Sequence, residues 1–192
     1  MLLNAYANGY FPMAESRDTK TLHWYYPEKR GIIPLDDFHI PKSLAKFLKQ
    51  NPFTYTLDTA FRDVITACAE RDDTWINNDI IELYCALHTM GYAQSVEVWI
   101  QDSKTRNQKL VGGLYGVSLG KAFFGESMFS RAANASKAAL VYLVNHLREG
   151  GYTLLDAQYV NDHLKQFGII EISRADYLER LEEALHIDPN PI

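Results

Sequence analysis

The strongest constraint on this chain is the order of segments after Gly91. Three of them, "AQSVEVWI" (93–100), "KLVGGLYGVSL" (109–119) and "KAFFGESMF" (121–129), alternate or run apolar over strand lengths and are separated by turns. Such a series predicts a three-stranded antiparallel meander. The amphipathic run "NASKAALVYLVNHLREG" follows, with Gly150 or Gly151 as its stop. A strand ("LLDAQ"), a short helix ("NDHLKQF"), Gly168, a strand ("IIEIS") and a last helix complete the chain. That helix opens at Ser173, with Asp176 at capping-box spacing.

Before Gly91 the elements are shorter. "MLLNAYANGYFPM" predicts a short helix stopped by Gly9 and Pro12, and "LHWYYPEKRGIIPL" predicts extended, proline-punctuated chain. "PKSLAKFLKQ" predicts a helix with Pro41 in its first turn, and "FTYTL" a short strand. Two amphipathic helices cover about 59–70 and 78–90, the second capped by Asn77 or Asn78 and ended by Gly91. The expected fold class is therefore α+β. An α-rich N-terminal lobe (1–92) precedes a mixed sheet flanked by helices (93–192). The order in the second lobe resembles the acyl-CoA N-acetyltransferase superfamily. Those enzymes grip a pyrophosphate at a Gly-rich turn before the long helix, whereas "SRAANASK" at that place contains no glycine.

With 47% hydrophobic residues among 192, the chain can bury a core. Its net charge of -5 excludes a general nucleic-acid coat, so any such contact must be a local patch. No apolar run is long enough to span a bilayer, and Cys68 and Cys85 read as buried free thiols; a cytoplasmic protein is expected. The histidines show no paired metal-ligand spacing and there is no G-x-S-x-G elbow, so neither metal nor covalent chemistry is expected. The glycines of "VGGLYG" fit a bulge or a close approach of backbone to a ligand.

Four constellations remain. Asp156 and Gln158 lie two apart in a strand and so share a face, with Asn161 at the following turn. They either cap that turn or converge on a ligand crevice at the strand's end. Glu126, among Phe123, Phe124, Met128 and Phe129, either pairs with Arg131 or is a carboxylate facing a cation in an aromatic pocket. Arg131 and Lys137 flank the start of the long helix and suit an anion there, while Asn134 and Ser136 equally suit caps. Lys42, Lys46 and Lys49 form a stripe that is either a solvated face or a source of phosphate affinity, which Lys104, Arg106 and Lys109 could extend.

Taken in order, "GYFPM", "TWI", "SVEVW", "LVGGLYGV", "FFGESMFSRAANASK" and "LLDAQYVNDH" resemble the leucyl/phenylalanyl-tRNA–protein transferases over nearly the whole chain. The resemblance implies an acetyltransferase-like C-terminal lobe and an aminoacyltransferase. Such an enzyme moves Leu or Phe, less readily Met, from aminoacyl-tRNA to the α-amino group of proteins beginning with Arg or Lys. The product is an N-degron, and no cofactor is needed because tRNA carries the acyl group. The family match links Asp156, Gln158 and Glu126 to catalysis and peptide binding, with Asn161 beside Glu126 at the peptide. Since an α-amine needs only a modest base, Asp156 is the expected proton acceptor and Gln158 the group that orients the reactants. The match places Trp75, Leu114, Phe123 and Leu147 around the aminoacyl or adenosine pocket and Lys42 and Lys49 against tRNA. Met13, which follows "YFP", is expected at the same pocket, and Lys46 of the stripe and Arg131 at the helix start are expected at the tRNA. Met13, Leu114 and Leu147 stand where some relatives carry Trp, Met and Phe, which implies a shifted donor preference. A monomer without membrane contact is expected. Two rivals are an acyl-CoA N-acyltransferase and a non-catalytic RNA- or peptide-binding module.

Overall fold

The computed structural model describes residues 1–14, 16, 19, 21–50, 52–71, 74–101 and 107–186. Lys104 and Arg106 lie outside the described residues. Helix α1 (Leu2–Ala7) leads into a two-stranded antiparallel ribbon, β1 (Phe11–Ala14) with β2 (Leu22–Tyr25). Then follow β3 (Lys29–Ile32), α2 (Lys42–Leu48), β4 (Thr54–Leu57), α3 (Phe61–Ala69) and α4 (Asn78–Thr89). The second half holds β5 (Ala93–Gln101), β6 (Gln108–Leu119), β7 (Ala122–Ser130), α5 (Ala135–Glu149), β8 (Leu154–Gln158), α6 (Asp162–Lys165), β9 (Ile170–Ser173) and α7 (Arg174–His186).

The caps follow the sequence. Asn77 Oδ1 accepts the Ile80 N–H at 2.9 Å, and Gly91 follows α4 with φ +82°, a conformation glycine takes at little cost. Ser173 Oγ accepts the Asp176 N–H and donates to its carboxylate, opening α7.

The meander β5-β6-β7 forms as expected, within a seven-stranded sheet of order β4-β5-β6-β7-β8-β3-β9. Strands β3 and β4 come from before residue 92, so the sheet itself draws on both expected lobes. The stretch expected as extended chain supplies β2 and β3, and β3 lies between β8 and β9. Among the described residues only β7 and β8 run parallel, joined by the crossover helix α5.

The central strands feed two cores. Phe124, Leu154 and Tyr115 face α1, α3, α4 and α7, while Phe123, Leu155 and Leu114 face α2, α5 and α6. The glycines of "VGGLYG" explain how α5 sits so close. A Cβ placed on Gly112 would lie 2.5 Å from that of Ala135, and one on Gly113 would lie 2.6 Å from the Val96 carbonyl oxygen. The close approach is to helix and neighbouring strand, not to a ligand. The bulge is present too, between Tyr115 and Gly116.

Candidate active site

The parallel pairing of β7 with β8 ends at Phe124 opposite Asp156. Beyond that point the two strands line a cleft of about 660 Å³, through Gly125–Ser130 on one side and Ala157–Gln158 on the other. A cleft at the carboxyl ends of parallel strands follows from the topology, since no further strand pairs there. Its apolar part is made by Ile33, Leu114, Leu140, Leu143, Leu155 and Leu164. Its polar part holds Glu126, Asp156 and Gln158, and Glu70, Arg71 and Arg131 contribute to its lining.

Asp156 is 0% exposed, and every lone pair is engaged. Arg30, 2% exposed, donates from Nε to Oδ1 at 2.9 Å and from Nη2 to Oδ2 at 2.6 Å. The Tyr177 hydroxyl donates to Oδ2 at 2.8 Å, and the Gln158 backbone N–H donates to Oδ1 at 2.8 Å. Arg30 is itself fixed between the rings of Phe11 and Tyr177, and it donates to the Gly9 carbonyl at 3.0 Å. A carboxylate so committed has no free acceptor site for a substrate proton, so this geometry does not favour the expected role of proton acceptor.

What Asp156 does is hold Gln158. The glutamine has φ +64°, a left-handed conformation that a strand does not permit, and its N–H is tied to the Asp156 carboxylate. The simple period-two argument for a shared face therefore fails at this residue. Both still line the cleft because the chain turns there.

Glu126 receives the Gln158 side chain instead. Gln158 Nε2 donates to Oε1 at 3.2 Å, leaving the Gln158 carbonyl oxygen as an acceptor. The Tyr6 hydroxyl donates to the same Oε1 at 2.6 Å, and Tyr84 donates to Oε2 at 3.1 Å. Burial pushes the Glu126 carboxyl up to about 7, against the pull of Tyr6, Tyr84 and Arg30; Asp156 pushes the same way as burial. The alternative pairing with Arg131 does not form, because Arg131 bonds Glu70 at 2.6 Å.

The remaining expected residues divide. Met13 and Leu114 line the cleft. Phe123 and Leu147 are fully buried behind Leu114 in the same core, and Trp75 packs on the opposite core, so these three are not in the cleft wall. Asn161 lines the cleft, but its Oδ1 caps α6 at the Leu164 N–H. Asn134, left-handed at φ +64°, makes no side-chain cap to α5; Ser130 Oγ accepts from the Ser136 N–H at 3.2 Å instead. Lys42, Lys46 and Lys49 are exposed on and just past α2, opposite the buried Leu44. Cys68 is a buried thiol pushed up to about 12, and Cys85 is half-buried; both are free.

Sequence reasoning missed Arg30, Tyr6, Tyr84, Tyr177, Leu140 and Leu143. A signal existed for the tyrosines. Each lies on the apolar face of its helix, Tyr84 with Ile80, Ile81 and Leu87, and Tyr177 with Leu181 and Ala184. Most phenols placed there find a buried hydrogen-bond partner.

Comparison with known proteins agrees with this geometry. The family model for the leucyl/phenylalanyl-tRNA protein transferase matches residues 32–182, and that for the N-terminal domain of the same protein matches residues 1–28. A leucyl/phenylalanyl-tRNA–protein transferase of Paramagnetospirillum magneticum is 57% identical over 96% of this chain and 88% of its own length. One from Zymomonas mobilis is 52% identical over 96% of this chain and 68% of its own. Among solved structures, that of FemX shares the fold at a TM-score of 0.59 and 13% identity, over 90% of this chain and 66% of the other. With a mixed seven-stranded sheet, a cleft where its parallel strands part, and family models matched from one end of the described chain almost to the other, this protein belongs to the leucyl/phenylalanyl-tRNA–protein transferase family.

Proposed function

We propose that the chain transfers a leucyl or phenylalanyl group, less readily a methionyl group, from aminoacyl-tRNA to the α-amino group of proteins beginning with Arg or Lys. The product carries a new peptide bond and an N-degron, and the setting is the cytoplasm, as a monomer. The observation that carries this reading is the division of the cleft. Ile33, Leu114, Leu140, Leu143, Leu155 and Leu164 form an apolar compartment beside the polar Glu126 and Gln158. An apolar aminoacyl side chain fits the first, and a cationic amino terminus fits the second.

An aminoacyl ester is already activated, so catalysis needs chiefly placement and proton management. Gln158 is the orienting group, its amide NH₂ fixed on Glu126 and its carbonyl oxygen available to an amine N–H. Asp156 is a positioning residue, holding the Gln158 backbone through its own bonds to Arg30 and Tyr177. Glu126 and Asn161 receive the acceptor, and Met13 and Leu114 contribute to the donor's compartment. Phe123 and Leu147 pack in the same core as that compartment, while Trp75 belongs to the core on the other face of the sheet. The donor carries the chemistry, so no cofactor is required.

The test is incubation of the purified chain with Leu-tRNA or Phe-tRNA and peptides starting with Arg, Lys or Asp, with acetyl-CoA as a second donor. Transfer from the tRNAs to the Arg and Lys peptides is expected. Transfer only from acetyl-CoA, or only to the Asp peptide, would give the chain a different substrate class.

Lys42, Lys46 and Lys49, with Arg131 at the cleft, are assigned to the tRNA backbone. None of the three lysines has a partner among the described residues, and all are exposed. Reversing charge at Lys42 and Lys49 is expected to raise the KM for full-length tRNA. The log–log salt slope should fall by ~1 for each phosphate that is no longer neutralised. A KM and slope like the parent's would return the stripe to the role of a solvated helix face.

A further inference from the structure

We propose that Glu126, held by the phenols of Tyr6 and Tyr84, takes the proton that the acceptor amine loses when it attacks the aminoacyl ester. The inference rests on the transfer reaction set out above and deepens it, moving the proton-accepting role away from Asp156.

Three observations carry it. Glu126 and Asp156 both line the cleft, but only Glu126 keeps a vacant acceptor position there. Among the described residues, its Oε1 is filled by Tyr6 and Gln158, whereas its Oε2 receives Tyr84 alone, at 3.1 Å. The second observation is a proton count. Tyr6 and Tyr84 hydroxyls lie 2.5 Å apart, and each also contacts Glu126, at 2.6 and 3.1 Å. Three oxygen–oxygen contacts need three protons, and two phenols supply two. The third is supplied only when a protonated carboxyl points its proton at a phenol, so the triangle is one proton short while Glu126 is a carboxylate. Third, Gln158 Nε2 bonds Oε1 of the same carboxylate, so the two side chains meet in the cleft and Gln158 keeps its carbonyl oxygen as an acceptor. One amine N–H can point to each.

The groups facing Glu126 are Tyr6 from α1, Tyr84 from α4, Tyr115 from β6 and the Asp156–Arg30 pair from β8 and β3. Cys68 and Arg71, in and just after α3, act on the Tyr115 side. Burial outweighs the phenols and Arg30, so the carboxyl ionises close to the range of an α-amine rather than that of an ordinary acid.

The step balances within the reactants. The amine nitrogen bonds to the ester carbonyl carbon, and one N–H proton passes to Oε2 of Glu126. The ester C–O bond then breaks, and the departing ribose oxygen takes that proton, leaving tRNA with a hydroxyl and Glu126 as carboxylate.

The experiment measures kcat and KM from pH 5.5 to 9 with Leu-tRNA and an Arg-starting peptide, for the parent, Glu126→Gln, Tyr6→Phe and Tyr84→Phe. The glutamine variant is expected to lose kcat by about 100-fold or more at pH 8, with folding verified by circular dichroism. Each phenylalanine variant removes a donor to the carboxylate, so the acid limb of kcat is expected to move to higher pH, with most of the rate kept at pH 9. Full kcat with only a raised KM in Glu126→Gln would make the residue a binding group and overturn the proposal. An unmoved acid limb in both tyrosine variants would do the same by making the triangle structural. A parent that transfers nothing would overturn the function itself, an outcome distinct from both.

Discussion

Replacing Arg30 with methionine is expected to destabilise the protein by about 3–5 kcal/mol, the usual cost of leaving one partner of a buried ion pair charged. Arg30 and Asp156 are 2% and 0% exposed, and no solvent can replace the guanidinium fork. The same change also removes the hydrogen bond to the Gly9 carbonyl and the stacking between Phe11 and Tyr177. Three parts of the chain, the turn after α1, β3 and α7, are then left without their common centre. For a chain of this size the destabilisation corresponds to a drop in Tm of about 6–20 °C. Urea and thermal melts of the variant measure it. The double variant Arg30→Met with Asp156→Leu is expected to recover most of that stability, because no unpaired charge is left behind. Its transfer activity should stay absent, since the Gln158 N–H has no carboxylate to hold it in the left-handed conformation. A single variant as stable as the parent would mean that water reaches Asp156.

How far the sequence reached can be judged from these same residues. Local signals were legible because they are local: Asn77, Gly91, Ser173 and Asp176 declare helix ends through bonds three or four residues long. The meander and the crossover helix were legible for the same reason. Strand β3 was not, since "KRGI" is only four residues long and its partners, β8 and β9, lie more than a hundred residues away. Missing β3 meant missing Arg30. Without Arg30, Asp156 looked like a free carboxylate at a strand end, and the role of proton acceptor followed. The pair "D-x-Q" did mark the right place, but which atom serves which purpose depends on a partner that no spacing rule could supply. The leucines at 140 and 143 were hidden in a different way. On α5 they look like any other apolar face, and only the parting of β7 from β8 gives them a cleft to line.

A second expected result concerns stability rather than rate. Replacing Glu126 with glutamine should make the protein more stable above pH 7, and the gain should vanish as the pH falls toward 4.5. In the folded chain the carboxyl is pushed up to about 7 from an ordinary 4.5, chiefly by burial. The folded state thus binds this proton more tightly than the unfolded state does. The stability contributed by the group is fully present below its unfolded value and is lost as the pH rises through about 7. Above that pH the fold carries a buried carboxylate at a cost of up to about 3 kcal/mol, from 1.36 kcal/mol per unit. Glutamine is neutral at every pH and retains an acceptor oxygen for the phenols of Tyr6 and Tyr84, so it avoids that cost. Parallel melts of the two proteins between pH 5 and 9 measure the difference; a constant offset, or a variant less stable throughout, would place the carboxyl's ionisation in the ordinary range. The sign is what connects this measurement to catalysis. A residue kept only for packing would not be one whose neutral counterpart stabilises the fold at pH 8. A carboxylate held in its costly form, beside a glutamine fixed by a buried ion pair, is what a site needs if it must accept a proton from an amine and then give it back.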